Sequence, residues 1–209
     1  MKTNKKSWDP VWEKIFSSQS WGKYPPEELV IFISRHYGKE LNKKEIKILD
    51  LGCGTGAATW FIAREGYDAY GVDASETGIK IAKERLKSEN LNATFTVQDF
   101  IDLDYPDNYF DCVVDVMALL ANNLDNLQII MKEINRVIKS DGRMFSMLFS
   151  DKCSFFESAR EIKNRGFMHF FKKDELIKLF SNFKTINIET TDRTNKGNLR
   201  AYFIVDAQK

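Results

Sequence analysis

The sequence predicts an α/β fold: a doubly wound sheet of seven strands, mostly parallel, with an antiparallel C-terminal strand and helices on both faces. Three observations predict it. From residue 46 onward, short apolar runs of strand character alternate with amphipathic helical stretches. In the first of these units an apolar strand leads through a carboxylate into alternating glycines and then a helix: Lys47-Ile48-Leu49-Asp50-Leu51-Gly52-Cys53-Gly54-Thr55-Gly56-Ala57-Ala58. The chain closes with two strand-like stretches that have no helix between them.

The elements follow in order. The first 40 residues read as helical. Pro25 and Pro26 suit a helix start, Glu27 and Glu28 complement its first turn, and Leu29, Phe32, Ile33 and His36 recur at helical spacing. Gly38 ends that helix. Residues 46–51 form a buried strand, and 57–65 a helix closed by Gly66. Residues 69–73 are a strand, 76–88 a helix with Ile79, Ala82 and Leu86 inward, and 94–98 a short alternating strand. Tyr105-Pro106-Asp107-Asn108 is a turn before the strand 110–116. Leu127, Ile130, Met131, Ile134 and Ile138 mark a strong helix, Ser140-Asp141-Gly142 a turn, and 143–149 a strand. Residues 150–171 break the rhythm and are rich in aromatic and charged side chains. Leu176, Leu179, Phe180 and Phe183 mark a last helix. The stretches 185–191 and 199–205 then form a hairpin around the polar, flexible segment 192–198.

Composition narrows the function classes. At 209 residues the chain buries a substantial core and is most simply one domain. A net charge of +1 gives no reason to expect a nucleic-acid partner. No apolar run is long enough to span a membrane, and the N-terminal lysines are followed by Trp8-Asp9-Pro10 rather than a signal-peptide core, so a cytoplasmic protein is expected. Cys53, Cys112 and Cys153 show no C-x-x-C spacing and no clustered histidines accompany them, so neither a metal site nor a disulfide framework is expected. Cys53 reads as a small side chain that a tight turn tolerates.

The glycine run builds a backbone surface that a ligand can approach closely. Two cofactor types use such a surface. Gly52, Gly54 and Ala57, with Asp73 downstream, match the dinucleotide fingerprint literally. Asp50 argues against it: a carboxylate two residues before the first glycine faces the place where a pyrophosphate would sit, and repels it. A cationic ligand without phosphate is attracted there, and S-adenosylmethionine is one. Four carboxylates, Asp50, Asp73, Asp99 and Asp115, fall at or near strand ends on one edge, which a cationic ligand makes sensible.

The order Asp50-x-Gly52-x-Gly54-x-Gly56 resembles the first motif of class I S-adenosylmethionine-dependent methyltransferases. The resemblance continues through Tyr70-Gly71-Val72-Asp73-Ala74-Ser75, Val97-Gln98-Asp99-Phe100, residues 109–115 and residues 134–143, in the family's order and spacing. It implies a Rossmann-like sheet whose last strand is antiparallel. The chain is then one domain: an N-terminal helical cap (1–43), a cofactor-binding core (44–150), a substrate lid (151–171), and a helix with a closing hairpin (172–209). By the same resemblance, Gly52, Cys53, Gly54 and Gly56 approach the methionine part of the cofactor, and Asp50 accepts from its ammonium. Asp73 holds the ribose hydroxyls, Ala74 lies beside the adenine, Asp99 accepts from the adenine amino group with Phe100 next to it, and Asp115 lies near the methionyl group. Trp21 and Tyr24 either close over the sulfonium or pack the N-terminal helix onto the sheet.

The acceptor is less legible. Strand four is followed by Val116-Met117-Ala118-Leu119, not by the run that resembles exocyclic amine methylation of nucleic acid, and no Pro-Cys nucleophile appears. A small molecule, methylated at O or N, is the expected acceptor. Many small-molecule members carry a histidine where Leu120-Ala121-Asn122-Asn123 stands here. Asn122 can orient a substrate or cap a helix, but does not readily take a proton. Tyr24 and His169 are the other catalytic candidates, His169 because histidine titrates near neutrality and its segment follows strand five. His36 reads as packed core, and Phe155-Phe156 and Phe170-Phe171 as possible walls of an acceptor pocket. Two alternatives remain open: a nicotinamide-dependent oxidoreductase and a non-catalytic module that binds S-adenosylmethionine.

Overall fold

A computed structural model describes residues 6–154, 161–162 and 166–209. Helices α1 (Val11–Ser18) and α2 (Glu27–Tyr37) precede the sheet. There follow β1 (Lys47–Leu51), α3 (Ala57–Arg64), β2 (Asp68–Asp73), α4 (Glu76–Ser88), β3 (Thr94–Val97) and β4 (Phe110–Val116). The remainder is α5 (Leu124–Val137), β5 (Ile138–Phe149), β6 (Glu161–Ile162), β7 (Gly166–Phe167), α6 (Lys173–Leu179), β8 (Thr185–Asn195) and β9 (Asn198–Gln208).

Seven strands form one sheet in the order β3-β2-β1-β4-β5-β9-β8, and β6 pairs with β7 apart from it. The pairs β1–β2, β1–β4, β2–β3 and β4–β5 are parallel. β9 runs antiparallel to both β5 and β8. Strand order reverses between β1 and β4, and a crevice opens at the carboxyl ends there. The expected sheet, with its antiparallel closing strand, is the one found.

Parallel strands are buried on both faces, and β4 shows it directly. Val113 joins the core beneath α5 and α6, with Leu127, Ile130, Ile134, Leu176 and Phe180. Its neighbours Cys112 and Val114 face the opposite core, with Leu29, Phe32 and Ile33 of α2 and Ala58 and Ile62 of α3. Each such fully buried aliphatic side chain contributes about 1.5–3 kcal/mol. The helix α4 starts on a Ser75 cap, whose hydroxyl accepts from Gly78 N–H at 2.9 Å.

Helix α1 is fastened to the start of α4. The Glu13 carboxylate accepts from the Ser75 hydroxyl at 2.5 Å and from the Thr77 hydroxyl, and these bonds hold its pKa below the usual value. The Phe16 ring fills the notch left by two glycines. A Cβ at Gly54 would meet that ring at 3.0 Å, and one at Gly78 would meet it at 3.1 Å.

Two expectations about local structure are corrected. Ser140-Asp141-Gly142 is not a free turn: α5 passes directly into β5, which is extended from Ile138. Phe110 pairs with Ile138 and Cys112 with Arg143, so the polar residues form an irregularity inside the strand. The segment 192–198 is not a flexible loop either. The β8–β9 ladder continues to Asn195 and Asn198 and closes on Lys196-Gly197, with φ of +49° and +79°. Two residues with positive φ make the hairpin turn whose twist matches its strands.

Candidate functional site

A cavity of about 530 Å³ lies at the carboxyl ends of β1, β2, β4 and β5. The loop after β1 forms its floor. Gly52, Gly54 and Gly56 have φ of +71°, +50° and +81°, the left-handed region that side chains disfavour. A Cβ at Gly52 would also overlap the side chain of Ala118. The loop's backbone is thereby laid open to a ligand, and Gly52, Cys53 and Gly54 line the cavity while Gly56 does not.

Two carboxylates converge on this loop. Asp50 is 2 % exposed and lines the cavity. Its Oδ2 accepts from the Thr59 backbone N–H at 2.8 Å and the Thr59 hydroxyl at 2.6 Å, which ties β1 to the first turn of α3. Burial pushes this carboxyl up to about 7, against the pull of the Thr59 bonds. Asp73 ends β2, with Oδ2 accepting from Gly54 N–H at 2.8 Å and Oδ1 from Ser75 N–H at 2.9 Å. Burial raises its pKa as well. Ala74 and Phe100 add an apolar wall beside Asp73, and burial raises the Cys53 thiol well above its ordinary value.

The other two carboxylates do not line the cavity. Ser7 donates to Asp99 from both its backbone N–H, at 2.7 Å, and its hydroxyl. Asp115 is fully buried, accepts from Ala118 N–H at 2.8 Å and Leu119 N–H at 3.0 Å, and takes the Ser146 hydroxyl. Burial pushes it up to about 6. It holds the turn after β4, where Met117 carries the non-glycine φ of +63° at the cavity edge.

Residues before β1 cover the cavity. Trp8, Trp12, Phe16, Trp21 and Tyr24 all line it. Trp21 packs edge-on against Trp12 and Phe16, with ring centroids 5.6 and 5.8 Å away. Tyr24 is 73 % exposed and sits edge-on to Trp60.

The catalytic candidates separate. Asn122 lines the cavity, is 2 % exposed, and its Oδ1 is buried without a hydrogen-bond partner. His169 is absent from the lining. Its backbone N–H donates to Leu120 O at 2.7 Å, and its Nε2 lies 3.4 Å from Glu175. It packs edge-on to Phe171 and fixes the segment before α6, so the substrate-facing reading is corrected. Phe170 and Phe171 are core residues and not pocket walls, while Phe155 and Phe156 lie outside the described residues. His36 is half-buried and bonds Asp206 through Nε2 at 2.7 Å. Sequence reasoning missed Arg193 and Arg200, which line the cavity from β8 and β9. Only the ladder register brings them together. Among the described residues no cluster of potential metal ligands occurs, and no helix is long and apolar enough to cross a membrane.

Residues 48–142 match the family model described as a methyltransferase domain. The chain is 36% identical over 105 residues to a demethylmenaquinone methyltransferase of Tropheryma whipplei (strain Twist), covering 50% of this chain and 42% of the relative. It is 31% identical over 133 residues to a ubiquinone biosynthesis O-methyltransferase of Coxiella burnetii, covering 61% of this chain and 56% of the relative. The chain thus spans about half the length of these curated relatives. Among solved structures, a SAM-dependent methyltransferase of Methanosarcina mazei superposes with a TM-score of 0.66 at 25% identity, covering 78% of this chain and 92% of that one.

Proposed function

We propose that the chain is a class I S-adenosylmethionine-dependent methyltransferase and that it transfers a methyl group from that donor to O or N of a small-molecule acceptor, a reading supported by the methyltransferase-domain match over residues 48–142 and by the similar methyltransferases. One observation carries the proposal: a buried carboxylate, Asp50, and a half-buried one, Asp73, meet a left-handed glycine loop on one cavity.

The residues present fit the donor chemically. Asp50, next to glycines that a Cβ would obstruct, suits an ammonium. Each oxygen of Asp73 accepts one backbone N–H and keeps acceptor capacity for a ribose diol. Ala74 and Phe100 offer apolar surface to an adenine. Asp99 and Asp115 stand outside the lining and bind Ser7, Ser146 and backbone N–H groups.

When bound, S-adenosylmethionine supplies a methyl carbon already activated by the sulfonium. The protein's contribution is then alignment and exclusion of water. The aromatic residues of the first 24 positions form one wall of the cavity. Asn122 borders the cavity and stands as the polar residue nearest to hand for orienting the acceptor, although its Oδ1 is itself buried. In this reading residues 1–43 are the cap, 44–150 the cofactor-binding core, 151–171 the substrate lid and 172–209 the closing unit. The protein is read as cytoplasmic, and its partner as a small metabolite.

The nicotinamide alternative is disfavoured by Asp50 and by the β8–β9 hairpin, which stands where a dinucleotide fold would add another strand–helix unit. Calorimetry with S-adenosylhomocysteine and with NAD separates the two. Binding of the nucleoside and silence with NAD is the expected result. Acceptors are then screened as metabolites that release S-adenosylhomocysteine in the presence of the donor.

A further inference from the structure

β5 shares its last rung with β9 at Phe149 and Tyr202. The β8–β9 ladder continues past it through Asp192–Ala201, Arg193–Arg200, Thr194–Leu199 and Asn195–Asn198. Because β9 is antiparallel to β5, this extension overhangs the carboxyl edge of the sheet, where the cavity lies. Residues two apart on a strand share a face, so Arg200 lies on the face of Tyr202, and Arg193, its ladder partner, lies there too. All three line the cavity.

Two like charges directly opposite on a ladder repel each other. Glu28 of α2 answers one of them: its carboxylate takes Arg193 Nη2 at 2.8 and 3.1 Å. Arg200 is exposed and has no ion pair among the described residues. The hairpin end of the cavity therefore carries two guanidinium groups against one ion-paired carboxylate. The opposite end carries Asp50 and Asp73 on β1 and β2. β1 and β9 are three places apart in the sheet, roughly 14 Å at ordinary strand spacing. The charged side chains of the lining are thus separated: Asp50 and Asp73 at the glycine loop, Asp9 on the N-terminal cover, where it accepts from Val11 N–H at 2.9 Å, and both guanidinium groups at the hairpin.

We propose that the methyl acceptor is a small molecule bearing an anionic group, a carboxylate or a phosphate, which Arg200 and Arg193 hold at the hairpin end. Planar guanidinium groups recognise both oxyanions through paired hydrogen bonds. This rests on the methyl-transfer reading and adds the acceptor's charge and its orientation: anion toward the hairpin, nucleophile toward Asn122 and the donor.

The test titrates the full chain with benzoate, phenyl phosphate and benzyl alcohol, with and without saturating S-adenosylhomocysteine, following tryptophan fluorescence and heat. At least one anion is expected to bind tenfold or more tightly than benzyl alcohol, and comparison of the two anions assigns the class. Arg200→Ala is expected to remove that preference, with affinity for S-adenosylhomocysteine unchanged within twofold. Arg200→Glu is expected to disfavour the anions further. Both substitutions are at an exposed position, and thermal melts confirm the fold. Equal binding of the anions and benzyl alcohol, or a preference that survives both Arg200→Ala and Arg193→Ala, overturns the proposal. Failure to bind S-adenosylhomocysteine with the anion preference intact overturns the methyl-transfer reading alone.

Discussion

Asp50 holds its proton more firmly than an ordinary carboxyl group because it is buried, and a cation beside it reverses that preference. Its pKa of about 7 therefore predicts proton release when a ligand ammonium binds near neutrality. Calorimetry of S-adenosylhomocysteine binding at pH 6.5 in buffers of different ionisation enthalpy should show this release, and Asp50→Asn should lose it. Asp73→Ala should weaken the same ligand by about 1–3 kcal/mol, the usual cost of losing charge-assisted acceptors. An unchanged affinity in the folded variant would contradict the ribose role. At this scale the sequence made legible which backbone and carboxylates meet at the cavity, namely Gly52, Gly54, Asp50 and Asp73. It was less clear at Asp99, Asp115 and His169. Their type and position suit the site, yet Ser7, Ser146, Leu120 and Glu175 engage them, partners that only the folded chain brings near.

The loop between β1 and α3 is the element on which most of the site depends. Gly52→Ala must place a side chain at a φ of +71° and against Ala118. A loss of about 1–3 kcal/mol in stability is expected from the strain alone, together with lost ligand binding. Denaturant unfolding and ligand titration of the variant check both. The β8–β9 turn makes a milder comparison. Gly197 has a φ of +79° but open space around it, so Gly197→Ala should cost only about 1 kcal/mol. Helix α4 and strand β4 were read from sequence with the bounds the structure has, 76–88 and 110–116, because a capping serine and a bounded apolar run mark their ends. The start of β5 and the length of β8 were not. Polar residues with turn character are extended there because neighbouring strands supply hydrogen-bond partners, and pairing outweighs local propensity.

Across the whole molecule, two buried carboxyls set a pH dependence. Asp50 and Asp115 stand at about 7 and about 6 in the folded chain, above the value of roughly 3.9 for an unfolded aspartate. As pH rises the unfolded chain gives up these protons first. Their contribution to stability is complete below about pH 4 and is lost as pH rises through the folded values. Chemical denaturation at pH 5 and pH 8 should show the loss, and Asp50→Asn should reduce it. A family-level fold was readable from the order of strands, helices and glycines, whereas the separation of charges around the cavity was not, since it joins β1 and β2 to a hairpin more than a hundred residues later. The seat of Phe16 on Gly54 and Gly78 adds one more consequence. A single ring serves as the spacer between the first helix, the glycine turn and the start of α4. A methyl group at either glycine would press on that ring and force it to give by a few tenths of an ångström, so the outer cover registers changes made at the innermost turn.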